Sequence, residues 1–180
     1  MSGLDGMRDG GSDGSATPGT PEGELARLVG EELRVRRWTV GLAESCTGGL
    51  VSKLLTDLAG SSEYFQGSLV AYGNDAKVGL LGVPPSTIAD WGAVSEEVAI
   101  RMAVGAAEAF GSDVGLSLTG IAGPGGGTEE KPVGTVWFGV HGPEGTRGEM
   151  GLFVGDRSAV REAAARHALS LLGQIASGDS

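Results

Sequence analysis

The feature of this sequence that most constrains its fold is a junction near residue 45, where a short apolar run ends and a helical pattern begins. Residues 38–43, WTVGLA, have the length and composition of a buried strand. Ser45, Cys46 and Thr47 follow, and two glycines then precede leucines and a valine at helical spacing. Such a junction sets unpaired N–H groups of a helix N-terminus beside hydroxyl and thiol side chains. It is predicted either to cap a helix or to carry nucleophilic catalysis.

Hydrophobic periodicity predicts that helices and strands alternate along the rest of the chain. The order α-β-α-β-α-α-β-β-β-α indicates a layered α/β fold, in which helices bury a sheet between them. The last two strands are joined by Gly142-Pro143-Glu144-Gly145, a tight reversal that pairs them antiparallel and makes the sheet mixed. Helices are predicted to begin at Pro21, after Gly49, at Asp75, near Ser86, after Ser95 and after Asp156, with further strands over 64–72, 113–119, 133–140 and 147–154.

Composition excludes several classes of function. A net charge of −10 over 180 residues argues against a nucleic-acid binder, which needs a basic face. A single cysteine excludes an internal disulfide and a cysteine-rich zinc site, which fits a protein of the reducing cytoplasm. No apolar run predicts a membrane helix or a signal peptide. Residues 1–20, rich in Gly, Ser and Asp, are expected to form a disordered tail before one domain over 21–177.

A serine nucleophile needs a base, and lysine is the better candidate here. His141 and His167 are the only histidines, and both are expected to be structural. Lys77 falls in the first turn of a helix that Asn74 is predicted to cap, where the helix dipole and partial burial would lower the pKa of its amine. The alternative is a solvated lysine paired with Asp75. Tyr72 is expected either to relay the proton or to pack in a strand.

A second loop, Gly120–Thr128, follows the third strand and is rich in glycine. It matches no Walker or dinucleotide-binding motif, but its backbone N–H groups could approach an anion. The alternative is a surface connection without function. Arg157 begins the last helix, where an arginine is well shaped to bind a phosphate through two hydrogen bonds, or forms a surface ion pair.

Together these stretches resemble the CinA carboxy-terminal domain family. The likeness spans about residues 25–175, without the large amino-terminal domain of many relatives. The motifs that carry it are Ala43-Glu44-Ser45-Cys46-Thr47-Gly48-Gly49, Tyr72-Gly73-Asn74-Asp75-Ala76-Lys77, Gly92-Ala93-Val94-Ser95-Glu96, Thr119-Gly120-Ile121-Ala122-Gly123-Pro124-Gly125-Gly126, Lys131-Pro132-Val133-Gly134-Thr135 and Gly155-Asp156-Arg157.

The resemblance implies a three-layer α/β/α sandwich with a mixed, about five-stranded sheet. It also implies an amidase that hydrolyses nicotinamide mononucleotide to nicotinate mononucleotide and ammonia, in pyridine nucleotide recycling. The family is a serine/lysine amidohydrolase, which places the nucleophile at Ser45 and the base at Lys77. Tyr72 is carried over as a further catalytic residue and Arg157 as a phosphate ligand.

The remaining site residues are assigned by role. We expect the amides of Thr47, Gly48 and Gly49 to stabilise the oxyanion, and the substrate to contact Glu44, Asn74, Gly120, Ala122 and Gly123 besides Arg157. One alternative makes Cys46 the nucleophile, and another makes the domain a non-catalytic nucleotide sensor or partner-binding module linked to competence. The mechanism that the resemblance implies needs no metal or other cofactor. The expected partner is a small nucleotide, with neither nucleic acid nor membrane, and the chain could form a homodimer.

Overall fold

The fold was determined from a computed structural model, which describes residues 19–178. The predicted tail therefore lies outside the described residues, except for Gly19 and Thr20. Within residues 19–178, six α-helices and five strands occur, with a 3₁₀ turn at Ser61–Glu63. Their order matches the prediction with one addition, the helix near Ser86, which the predicted order of five helices does not count. They are α1 Pro21–Arg36, β1 Val40–Glu44, α2 Leu50–Thr56, β2 Phe65–Val70, α3 Asn74–Leu81, α4 Pro85–Trp91, α5 Glu96–Phe110, β3 Val114–Gly120, β4 Thr135–Gly142, β5 Gly145–Leu152 and α6 Arg157–Ser177.

The five strands form one mixed sheet in the order β2-β1-β3-β4-β5. β1 lies in the middle of a parallel group, with β2 on one side and β3 on the other. β4 and β5 add an antiparallel hairpin beyond β3, which confirms the predicted reversal and the mixed sheet. Since the three parallel strands point the same way, their carboxyl ends meet at one edge, where ligands collect in open α/β sheets.

Helices cover both faces of the sheet, which gives the expected three layers. α1, α2 and α6 pack together over the larger part of the core, whereas α5 crosses the other face with α3 and α4 against it. α5 packs closely on the sheet, as its small residues predict. A Cβ atom added at Gly139 or Gly115, which lie on the sheet, would be 2.1 or 2.0 Å from a backbone oxygen of α5. No described helix is long and apolar enough to cross a membrane.

The predicted helix caps are mostly confirmed. Thr20, Ser95 and Asp156 each accept a hydrogen bond from the backbone three residues on, at the starts of α1, α5 and α6. The prediction for Asn74 is wrong. Gly73 holds the N-cap position of α3 without a side-chain hydrogen bond, and Asn74 is the first helical residue. Its side chain is thereby left for the pocket described below.

Candidate active site

The carboxyl ends of β1, β2 and β3 enclose a cleft of about 200 Å³. The turn after β1 is fixed to both neighbours: the Ser45 amide donates to the Leu118 carbonyl at 3.0 Å, and the Ala71 amide donates to the Glu44 carbonyl at 2.9 Å. Residues far apart in the chain therefore converge. The cleft is lined by Ser45, Cys46, Tyr72, Asn74, Lys77, Ala93, Val94, Thr119, Gly120, Ala122 and Arg157.

Ser45 and Lys77 form a hydrogen-bonded pair inside this cleft. The Nζ atom of Lys77 lies 3.1 Å from the Oγ atom of Ser45. Only 2 % of Lys77 and 7 % of Ser45 are exposed. The alternative of a solvated Lys77 paired with Asp75 is therefore wrong. A nucleophile and a base within hydrogen-bond distance are the arrangement that covalent catalysis requires.

The surroundings of Lys77 favour its neutral form. Its amine also donates to the carbonyls of Ala71 and Tyr72, at 3.0 and 3.2 Å, and no carboxylate of the described residues pairs with it. Burial lowers the pKa of Lys77 below its usual range, because an ammonium loses hydration there. This direction is the one that a lysine base needs near neutral pH.

Glu44 is a structural residue of the turn, and its prediction as a substrate ligand is wrong. The side chain is 0 % exposed and does not line the cleft. One carboxylate oxygen accepts from the Thr47 hydroxyl and from the amides of Gly49 and Val51, at 2.8 to 3.1 Å. The other accepts from the amide and hydroxyl of Ser52 at 2.9 and 2.7 Å. The carboxylate thus satisfies donors at the start of α2 that no backbone carbonyl reaches.

The predicted oxyanion donors need the same correction. The Gly49 amide is bound to Glu44 at 3.0 Å, and the Gly48 amide donates to the Ser45 carbonyl at 3.1 Å, so both are used within the turn. Their left-handed backbones, with φ of 99° and 63°, let the chain close this tight loop. Among the described hydrogen bonds of this turn, none has the amide of Cys46 or Thr47 as its donor, and Ser45 and Cys46 line the cleft. The amides of Cys46 and Thr47 are the donors of this turn that remain for an oxyanion.

Cys46 is poorly suited to act as the nucleophile. Its side chain is 6 % exposed, and burial raises the pKa of its thiol to about 11. The reactive thiolate is therefore scarce at neutral pH. The Nζ atom of Lys77 lies 3.1 Å from the Ser45 hydroxyl, and no described hydrogen bond joins it to the Cys46 sulfur, so the geometry favours the hydroxyl over the thiol.

Arg157 and Tyr72 form the outer wall of the cleft. Arg157 donates to the Tyr72 hydroxyl at 2.9 Å and to the Gly123 carbonyl at 2.8 Å. Tyr72 is 60 % exposed, and its hydroxyl makes no hydrogen bond with Lys77 or Ser45, so a proton relay through it stays a prediction. Asn74, Gly120 and Ala122 line the cleft as expected. Gly123 does not line the cleft, but its carbonyl accepts a hydrogen bond from Arg157.

The sequence from Glu22 onward also matches a known family. The model of the CinA C-terminal domain matches residues 22–176, nearly the whole described part of the chain. The chain belongs to the CinA C-terminal domain family. The resemblance drawn from the six motifs is thereby confirmed.

Several CinA-family relatives match most of the chain. Nicotinamide-nucleotide amidohydrolase PncC of Escherichia coli strain K12 is 51 % identical over 154 residues, which cover 84 % of this chain and 92 % of that protein. A CinA-like protein of Leptospira biflexa is 48 % identical over 156 residues, but these are only 37 % of its length. The domain thus occurs both nearly alone and within longer proteins.

Solved structures of the CinA superfamily have the same fold. A Klebsiella pneumoniae 700603 protein superimposes with a TM-score of 0.85 at 33 % identity, covering 88 % of this chain and 99 % of that one. A competence/damage inducible protein of Agrobacterium tumefaciens gives 0.80 at 40 % identity, covering 84 % and 93 %. These likenesses confirm the α/β fold with its mixed sheet.

Sequence reasoning missed three contributors to this CinA-family site. Arg161, on α6, donates to the carbonyls of Cys46 and Thr47. Thr119 lines the cleft and donates to the Ala93 carbonyl at 2.7 Å. The Lys131 amine donates to the carbonyls of Trp91 and Val94 at 2.9 and 2.8 Å. For Arg161 a signal existed: it follows Arg157 by four residues and so shares a helix face with it.

The two histidines lie elsewhere, as expected. His141 contacts Thr146 at 2.7 Å on the terminal hairpin. His167 contacts Glu149 at 2.7 Å and packs against the ring of Phe138. Neither lines the cleft, and residues 19–178 contain no group of three or more His, Cys, Asp or Glu placed to hold a metal ion.

Proposed function

We propose that this protein is a nicotinamide-nucleotide amidohydrolase, which converts nicotinamide mononucleotide and water to nicotinate mononucleotide and ammonia. The observation that carries the proposal is the buried Ser45–Lys77 pair, with 3.1 Å between Oγ and Nζ, at the strand-end cleft. The names of relatives about 51 % identical over most of the chain support the same reaction.

The mechanism follows from the contacts of Lys77. In its neutral form it takes the Ser45 proton while Oγ attacks the carboxamide carbon, which gives a tetrahedral intermediate. The amides of Cys46 and Thr47 stabilise the oxyanion. Lys77 then returns the proton to the leaving nitrogen, the C–N bond breaks, and ammonia departs from an acyl-enzyme. Water, deprotonated by Lys77, hydrolyses the ester and frees Ser45.

The outer wall of the cleft binds the rest of the nucleotide. Arg157 is already oriented by the Tyr72 hydroxyl and the Gly123 carbonyl, and its guanidinium has further N–H groups for the 5′-phosphate. The Gly120–Thr128 loop supplies backbone near the same group. Tyr72, largely exposed at the mouth, contacts the substrate through its hydroxyl or its ring. Asn74 contacts it from the start of α3.

The test is ammonia release from nicotinamide mononucleotide by the full chain. Ser45→Ala is expected to reduce kcat by about 10⁴-fold or more, because the attacking oxygen is lost. Lys53→Ala, a change to an exposed lysine on α2 that pairs with Asp57, is the control and should leave the rate unchanged. Wild-type turnover by Ser45→Ala would contradict the nucleophile assignment, and tight nucleotide binding without turnover by the wild type would favour a sensor.

A cytoplasmic location and a homodimer remain proposals. Sedimentation equilibrium of the purified chain decides between monomer and dimer, and fractionation of cells decides the location.

A further inference from the structure

Arg161 lies behind the nucleophile turn, and the mechanism above gives it no role. It projects from α6 one helical turn after Arg157. Its Nε donates to the Cys46 carbonyl at 3.1 Å and its Nη2 to the Thr47 carbonyl at 2.7 Å. In the described structure this guanidinium donates hydrogen bonds to two backbone carbonyls and pairs with no carboxylate. These carbonyls belong to the two residues that directly follow Ser45.

The two carbonyls control the direction of the neighbouring amides. A peptide group is planar, so holding the Cys46 carbonyl also fixes the Thr47 N–H, and holding the Thr47 carbonyl fixes the Gly48 N–H. The Gly48 N–H in turn donates to the Ser45 carbonyl at 3.1 Å, which fixes the Cys46 N–H. Arg161 therefore acts, directly or through Gly48, on the peptide groups on both sides of Cys46.

A carboxylate binds the N–H groups of the turn, and a guanidinium binds its carbonyl groups. Glu44 accepts hydrogen bonds from the donors of the turn, whereas Arg161 donates to its acceptors. Charge-assisted hydrogen bonds of this kind are stronger than neutral ones. A cation bound at a carbonyl also polarises the peptide group and makes its N–H a better donor.

We propose that Arg161 is a positioning residue for the amidase reaction. It holds the Cys46 and Thr47 carbonyls so that Ser45 and the adjacent amides keep the geometry needed for attack and for oxyanion stabilisation. This inference rests on the proposed function, and it differs from a merely structural role in which Arg161 only ties α6 to the turn. A structural role would lower stability alone, whereas a positioning role lowers kcat in folded protein.

The test compares two variants of Arg161 with a matched control on the same helix. Arg161→Gln should lower kcat by roughly 10- to 100-fold, less than outright loss of an oxyanion donor, while KM changes by at most about threefold. Arg161→Lys should fall between it and the wild type, because an ammonium lacks the planar fork that reaches both carbonyls. Arg166→Gln, which removes a surface pair with Glu22, should leave kcat unchanged.

A second measurement does not depend on the nucleotide. The rate at which a fluorophosphonate labels Ser45 reports the nucleophile and the oxyanion donors directly, with Ser45→Ala as the blank. The labelling rate should be highest in the wild type and in Arg166→Gln, lower in Arg161→Lys and lowest in Arg161→Gln. Only samples that show a cooperative thermal transition are compared.

Equal kcat and labelling rates in Arg161→Gln and Arg166→Gln would overturn the inference, as would a loss confined to KM. If Arg161→Gln does not fold, Arg161→Lys decides by the same comparison. A wild-type protein that labels at Ser45 but releases no ammonia overturns the proposed function, and the labelling series then decides the inference alone.

Discussion

Two loops at the same edge of the sheet are built in opposite ways. The turn after β1, Ser45–Gly49, is mostly buried, and its donors and acceptors are bound by Glu44, Arg161 and the backbone itself. The loop after β3 is buried at Ala122 and Gly123 but exposed from Pro124 to Glu130. Chemistry needs atoms fixed to within a fraction of an ångström, whereas recognition tolerates adjustment. We therefore assign bond breaking to the first loop and nucleotide binding to the second.

After loss of the nucleophile itself, the largest expected effect comes from removing the base beside the rigid turn. Lys77→Met should lower kcat by at least about 10³-fold, because Ser45 loses its proton acceptor. Ammonia release measures it, and binding of the mononucleotide by calorimetry should persist. A Lys77→Met protein with appreciable turnover would move the base elsewhere.

The same lysine sets the pH dependence. Protonated Lys77 cannot accept a proton, so kcat/KM should fall as the pH decreases through its pKa. Because burial lowers this pKa, the rising limb should lie below the value of an ordinary lysine, and the plateau should be reached at lower pH. A pH–rate profile measures the limb. A rate that still rises up to the ordinary lysine range would contradict a lowered pKa.

The next prediction concerns a variant that loosens the rigid turn without changing the reacting groups. Glu44→Gln places an amide NH₂ among the donors of the turn, which leaves hydrogen bonds unmade and costs about 1–3 kcal/mol of stability. We expect kcat to fall by roughly tenfold as Ser45 loses its fixed position. Thermal unfolding and ammonia release measure the two effects.

Glu63→Gln, a change in an exposed ion pair with Arg34, is the matched control and should be neutral. If Glu44→Gln were as stable and as active as this control, the contrast between a rigid and an adaptable loop would not hold.

A further prediction concerns Arg157, which lies on the side of the exposed loop after β3. Arg157→Gln should raise KM for the mononucleotide by about tenfold and change kcat little, because a phosphate contact lies far from the bond that breaks. Nicotinamide riboside, which lacks the phosphate, is the matched substrate, and its kcat/KM should change much less. An equal loss for both substrates would mean that Arg157 acts on the reaction and not on the phosphate.

The smallest effect is expected at Cys46. Its thiol is protonated near neutral pH, so Cys46→Ala should keep kcat within about threefold of the wild type. Ammonia release and labelling by a thiol reagent under native conditions measure it. A loss comparable with that of Ser45→Ala would return the nucleophile role to Cys46.

The order of elements and the two motifs that contain the proposed catalytic pair could be predicted from the sequence. Alternation of apolar and polar residues is local, so β1, α5 and the terminal hairpin were located to within a few residues. Ser45 and Lys77 lie in motifs that can be recognised one at a time. Their direct contact across 32 positions, in contrast, is a property of the parallel pairing of β1 with β2.

The errors also have a common cause. Glu44 was assigned to the substrate, and the Gly48 and Gly49 amides to the oxyanion, because a sequence shows which groups are available and not which are already bound. Glu44 is bound by the donors at the start of α2, which include the Gly49 amide, and the Gly48 amide donates to the Ser45 carbonyl. Asn74 is a separate case: α3 begins one residue earlier than expected, so Gly73 takes the N-cap position.

The sequence by itself determined the layered α/β fold, the family and the junction at Ser45, because each depends on short stretches of residues with a characteristic spacing. Only the tertiary structure decided the burial of Lys77 that lowers its pKa, the burial of Glu44 and the contact of Arg161 with the nucleophile turn. Arg161 follows Cys46 by 115 positions, and their hydrogen bond exists because α6 packs over the start of α2. Burial and hydrogen-bond partners are set by elements that meet only after folding, so no local pattern encodes them.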